Sequence, residues 1–215
     1  MLLTILYIIG ITAEAMTGAI SAGKRKMDWF GVMFVASVAA IGGGTARDII
    51  LGHYPVGWIK HPEYIMITCG AGVLTTLIAP WVARNQRLFV TLDSIGLIVF
   101  SIIGCRVAMD MHLPAFICVI AAIVTGIFGG LLRDLVCRQK PLVLHKELYA
   151  SVALFAASLY LALLWYGVED DLAVIVTLMA SFSLRIVALK LAWSLPVFYF
   201  EKEKIAQKKS IKGKS

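Results

Sequence analysis

Charge is what this chain has least of: Asp, Glu, Lys and Arg make up 15% of its 215 residues, where an average soluble domain carries about 25%. Hydrophobic residues account for 60% and the mean hydropathy is +0.87. That balance excludes a soluble globular domain and describes a polytopic membrane protein. Cysteine is sparse, and Cys69, Cys105, Cys118 and Cys137 show no paired spacing. Neither a disulfide framework nor a metal site is supported. His53, His61, His112 and His145 lack ligand spacing as well, and no P-loop, nucleophile elbow or metal signature occurs. Nothing argues for an enzyme, and no cofactor is expected.

What is present is a series of long apolar runs. A bilayer core needs roughly 20 apolar residues per helix, and that ruler places spans near 2–22, 29–50, 64–82, 89–109, 114–136, 148–166 and 172–192. With seven spans, one side of the membrane collects Lys24, Arg25 and Lys26, then Arg84 and Arg87, then Arg138, Lys140 and Lys146. The same side receives the lysine-rich tail after Pro196. The other side has Lys60 and the acidic run Glu169-Asp170-Asp171. The positive-inside rule then puts the N-terminus outside and the C-terminus in the cytoplasm. The net charge of +7 is therefore a membrane-surface feature, with the basic tail beside anionic head groups, and not a nucleic-acid footprint. No positive charge precedes the first apolar run and a basic cluster follows it, the reverse of a signal peptide, so it is expected to be a retained helix.

Gly42-Gly43-Gly44 followed by Arg47-Asp48 recurs as Gly129-Gly130 followed by Arg133-Asp134, at an offset of 86 (129 − 43 = 86). The same offset aligns Gly10 with Gly96, Gly18 with Gly104, Pro55 with Pro141 and Lys60 with Lys146. Each copy holds three spans. An odd number makes the second copy enter the membrane the other way round, the inverted-repeat plan of many transport proteins. The expected fold is an all-α membrane protein with seven transmembrane helices in a 3+3+1 arrangement. Residues 1–86 form the first repeat, 87–170 the inverted second, 171–195 the seventh span and 196–215 a basic cytoplasmic tail. Inversion places Arg47 and Asp48 in the outer half of the bilayer and Arg133 and Asp134 in the inner half, an hourglass with the glycines near its middle.

Consecutive glycines cost about 1 kcal/mol each in a helix interior and invite kinks. One reading is that Gly42, Gly43, Gly44, Gly129 and Gly130 break their helices and expose carbonyls to a permeating ion. The other is close helix packing, which small residues also permit. Adjacent residues on a helix point about 100° apart, so each Arg and Asp is expected to pair with another helix and not with its neighbour. The aspartates could attract cations with the arginines as gates, or the four charges could brace the repeats. Asp93, Arg106, Lys60 and Lys146 are accessory polar candidates, and Glu14 is a further intramembrane acid without an acidic equivalent in the other copy. Arg185 and Lys190 near the end of the last span are expected to snorkel.

The pattern Gly-Gly-Gly-Thr-Ala-Arg-Asp at 42–48, with Pro55, Trp58 and Tyr64, together with Gly-Gly-Leu-Leu-Arg-Asp at 129–134, resembles the bacterial relatives of the trimeric intracellular cation (TRIC) channels. That family is also labelled a glycine-transporter domain family. Asp93, Gly96 and Gly104 fit its second-repeat opening, and the resemblance covers nearly all of residues 1–195. It implies a homotrimer in the bacterial inner membrane, with one passive pathway per protomer for K⁺ or Na⁺ and bound lipid alongside. It also implies that kinked second and fifth helices line the pore with Gly42, Gly43, Gly44, Arg47, Asp48, Gly129, Gly130, Arg133 and Asp134. One departure is Tyr7, which stands where the second copy has Asp93; the lysine motif with which animal members bind lipid is not evident. The alternative is a secondary carrier for a small substrate such as glycine. A lipid-binding protein without transport fits the repeated charges least.

Overall fold

The computed structural model describes residues 1–78, 86–145, 148–191 and 193. These residues form seven helices of 15 to 25 residues and contain no strand: α1 (Leu2–Lys24), α2 (Trp29–Leu51), α3 (Glu63–Leu77), α4 (Gln86–Asp110), α5 (Ala115–Val136), α6 (Tyr149–Trp165) and α7 (Asp170–Lys190). Two single-turn helices, Gly57–Lys60 and Leu142–His145, follow α2 and α5. Lys146, Arg84 and the tail fall outside the described residues.

Local chemistry sets the boundaries. The Asp28 carboxylate accepts the Gly31 N–H at 2.7 Å and caps α2. Gly52, with φ +68°, closes the same helix in the left-handed turn that glycine adopts without strain. Pro114 precedes the first residue of α5. α7 opens with Asp170 and Asp171 and ends near Lys190, charges that complement its dipole.

The offset of 86 reappears in the backbone. α2 begins at Trp29 and α5 at Ala115 (115 − 29 = 86), and α3 begins at Glu63 and α6 at Tyr149 (149 − 63 = 86). Lys26 and His112 both have left-handed φ, and so do Gly52 and Arg138, again in pairs 86 apart (112 − 26 and 138 − 52). Packing follows suit: α1 lies on α2 as α4 lies on α5, and α1 on α3 as α4 on α6. α2 packs directly on α5, and α1 on α4. α7, which has no counterpart, rests on α6 and α4.

Five of these helices (α1, α2, α4, α5 and α7) are long and apolar enough to cross a membrane. The other two, α3 and α6, are shorter apolar helices of 15 and 17 residues over the spans expected near 64–82 and 148–166. Large apolar side chains such as Phe30, Met66, Phe116 and Met179 point outward, whereas the interior is rich in Ala13, Ala15, Ala36, Ala39, Ala121 and Ala122. Small residues inside let backbones approach closely, which suits helices whose outer surface faces lipid.

Candidate ion pathway

α2 and α5 meet at their glycines. A methyl group on Gly43 would collide with the Thr125 carbonyl oxygen, and one on Gly129 with the Ala39 carbonyl oxygen. Ala39 and Thr125 are themselves equivalent (125 − 39 = 86), so the contact is two-fold in character. A methyl on Gly42 would stand 2.9 Å from Leu132 Cδ1. Helical structure runs without interruption through both glycine clusters. The expectation that these glycines break their helices and free carbonyls is therefore corrected. They permit a close crossing, with the carbonyls of Ala39 and Thr125 against the opposite glycine.

A little over one turn past the crossing glycines, each helix carries its charged pair inside the protein. Arg47 Nε and Nη2 donate to Asp48 Oδ1 at 2.9 and 2.6 Å, and Arg133 Nε donates to Asp134 Oδ1 at 2.9 Å. Pairing between neighbours overturns the expectation drawn from the 100° spacing for Arg47, whereas Arg133 pairs both with its neighbour and, as expected, across to the other helices that carry Asp93 and Glu14. That spacing fixes where the Cβ atoms point, but the long arginine stem folds back, and a desolvated guanidinium takes the nearest carboxylate. The second oxygen of each aspartate reaches beyond the helix. Asp48 Oδ2 accepts the Gly57 N–H at 3.1 Å and Asp134 Oδ2 the Leu142 N–H at 2.9 Å. Those are the first residues of the two single-turn helices, so each aspartate ties its loop back over the end of its helix. His53 Nδ1 lies 3.0 Å from Asp48 Oδ1.

The surroundings of the two pairs differ. Asp48 is the one carboxylate paired with Arg47 among the described residues. Arg133 meets three: Asp134, Asp93 (Nη1 to Oδ1, 2.9 Å) and Glu14 (Nη1 to Oε2, 3.5 Å). Thr17 links this group, accepting from Arg133 Nη1 at 2.8 Å and donating to Glu14 Oε2 at 2.9 Å. Phe89 stacks its face 5.0 Å from the Arg133 guanidinium. The positions equivalent to Asp93 and Glu14 are Tyr7 and Phe100, whose rings pack at 6.0 Å, with Tyr64 4.6 Å from Tyr7. One half of the molecule is lined with carboxylates where the other is aromatic.

A family model described as glycine transporter matches two segments of the chain, residues 4–80 and 90–165. A UPF0126 membrane protein of Vibrio cholerae is 39% identical over 209 residues, covering 93% of this chain and 85% of its own length. The Escherichia coli UPF0126 inner membrane protein YadS is 32% identical over 200 residues, covering 92% and 97%. Among solved structures, the TRIC trimeric intracellular cation channel orthologue from Rhodobacter sphaeroides superposes with a TM-score of 0.85 at 32% identity, over 88% of this chain and 98% of that one. The chain belongs to the bacterial TRIC-type family. A second TRIC cation channel, solved to explain conductance, gives 0.84 at 31% identity over 92% and 98%.

Within this TRIC-type chain the remaining candidates separate. Gly44 faces open space beside Arg47, whereas Gly130 faces the Arg133 group. Asp93, expected as an accessory, is a direct partner of Arg133. Arg106 lies elsewhere: it pairs with Asp110 at 3.0 Å and Asp170 at 2.8 Å, and Tyr160 donates to the same Asp170 oxygen at 2.6 Å. That cluster ties α7 to α4 and α6. Lys60 is exposed at the end of its single-turn helix. Arg185 does not snorkel; it is buried with its guanidinium 5.0 Å from the Tyr149 ring. Glu14, Thr17 and Tyr149 were not selected from the sequence as site residues. The usable signal was two-fold contact: Gly10 touches Phe100, so the equivalent of Gly10, Gly96, must touch the equivalent of Phe100, which is Glu14.

Proposed function

We propose that this protein is a passive channel for monovalent cations, K⁺ foremost, with one pathway in each protomer running beside the α2–α5 crossing. The observation that carries the reading is the pair of buried Arg–Asp units in equivalent places on the two crossing helices, Arg47-Asp48 and Arg133-Asp134. Burying an Arg–Asp pair in a membrane protein is costly, and doing so twice in one geometry fits a polar route better than a packing device. The cation channels named for the similar solved structures support the same class. In this reading the two halves are inverted repeats of three helices each, with α7 added. The assembly is a homotrimer in the inner membrane, N-terminus out and C-terminus in, with lipid around it. α2 and α5 line the route; their glycines set the crossing that the route passes.

The family description favours a second reading, a carrier for glycine. Proteoliposomes separate the two. A channel releases trapped K⁺ rapidly and passes no labelled glycine. Saturable glycine uptake with no K⁺ leak selects the carrier.

A further inference from the structure

We propose that His53 is a proton sensor at the outer mouth of the pathway, and that acid on its side of the membrane lowers cation passage. The proposal rests on the channel reading and adds the regulation of that same route.

The geometry comes from the end of α2. Gly52 turns the chain so that the His53 N–H donates to the Asp48 carbonyl at 2.8 Å, and His53 Nδ1 stands 3.0 Å from Asp48 Oδ1. A carboxylate only accepts, so Nδ1 carries the ring's proton and Nε2 is the nitrogen left to take a second. No hydrogen bond holds Nε2 among the described residues. The imidazole is 42% exposed and the Asp48 side chain 1%, so the ring joins a buried ion pair to solvent. A second proton on Nε2 breaks no contact. It adds one positive charge in place.

That charge has nothing to balance it. Arg47 already matches Asp48, and the groups behind the pair are the uncharged hydroxyls of Tyr7 on α1 and Tyr64 on α3. Further along the chain, His61 pairs with Glu63 at 3.0 Å, and Lys60 is exposed. Protonation therefore takes the Arg47-Asp48-His53 group from neutral to singly positive. One charge about 10 Å from a passing ion in water changes the local cation concentration roughly twofold, and salt screens the effect.

The other half of the molecule supplies a comparison. The position equivalent to His53 is Gln139 (139 − 53 = 86), whose N–H donates to the Asp134 carbonyl at 2.8 Å. The same turn over the same aspartate is thus closed by a side chain that does not titrate. Closing the turn does not require a histidine, so the imidazole at position 53 is free to serve another purpose.

Single-channel recording of the purified full-length protein in dilute, symmetric KCl tests this. Each chamber in turn is taken from about pH 8 to about pH 5, the range in which histidine changes charge. Acid in one chamber only should lower the unitary conductance roughly twofold, and concentrated KCl should shrink the effect. His53→Gln, which copies the other half, should hold the alkaline conductance at both pH values, whereas His61→Gln should respond like the unaltered protein. Gln139→His should add a response to acid in the opposite chamber, and it carries the test if His53→Gln does not fold. Channels that conduct equally at both pH values, or a response that survives His53→Gln, overturn the sensor and leave the channel reading standing. Membranes silent at every pH overturn the channel reading and the sensor with it.

Discussion

Gly43 of α2 and Gly129 of α5 lie on either side of one crossing, each beneath the carbonyl of the residue four positions before the other: Thr125 over Gly43, Ala39 over Gly129. The reciprocity makes this contact the centre about which the two halves are arranged. It also decides what the glycines do, since a carbonyl pressed on a glycine α-carbon marks packing.

Replacing either central glycine by alanine therefore forces the helices apart. Gly43→Ala or Gly129→Ala should destabilise the protein by roughly 1–3 kcal/mol, the usual range for overpacking. Gly44→Ala has nothing nearer than Arg47 Nη2 at 3.9 Å. It should be neutral or gain up to about 1 kcal/mol from helix propensity. Thermal unfolding in detergent compares the three, and equal stability of Gly43→Ala and Gly44→Ala would sink the crossing argument.

The two aspartates should not be equally sensitive. Asp48→Asn leaves Arg47 buried without a carboxylate, whereas Asp134→Asn leaves Arg133 with Asp93 and Glu14. Stranding a buried charge costs about 3–5 kcal/mol. Asp48→Asn should approach that figure and Asp134→Asn should fall well below it. Chemical denaturation of both variants reads the difference, and the reverse order would show that the carboxylates around Arg133 do not share its charge.

Arg138 has φ +49° at the position where the first half has Gly52 at +68°. A left-handed backbone costs a non-glycine residue roughly 1–2 kcal/mol. Arg138→Gly should recover about 1 kcal/mol of that in melting temperature, with Gly52→Ala moving the other way. No gain in Arg138→Gly would mean that its side chain contributes more than the turn costs.

α7 depends on a small polar cluster. Tyr160 is buried and its hydroxyl donates to Asp170 at 2.6 Å, beside Arg106. Tyr160→Phe should cost about 0.5–1.5 kcal/mol, the net worth of one such bond. Protease cleavage between α6 and α7 should become faster. Unchanged cleavage would show that apolar packing alone holds α7.

Much of this was legible in the chain. The run from Trp29, the turn after Leu51 and the second copy 86 residues on are all read from apolar length, glycine and the repeated Arg–Asp pair, because local propensity sets them. Glu14 beside Asp93 was not legible. The two are not equivalent in the repeat; they become neighbours because a two-fold crossing brings α1 of one half against α4 of the other. Nor was the Arg47–Asp48 pairing, since helical spacing describes where side chains leave the backbone and not where a long one ends. The unbroken helices at Gly43 and Gly129 follow from tertiary contact, which composition does not contain.

The most direct test of the central claim is single-channel recording of the purified protein in a planar bilayer under a K⁺ gradient. A cation pathway beside the α2–α5 crossing predicts discrete unitary currents that reverse near the K⁺ equilibrium potential. It also predicts that Asp134→Asn, correctly folded, lowers the unitary conductance or the preference for cations. Membranes that stay silent while the same preparation accumulates glycine would contradict it.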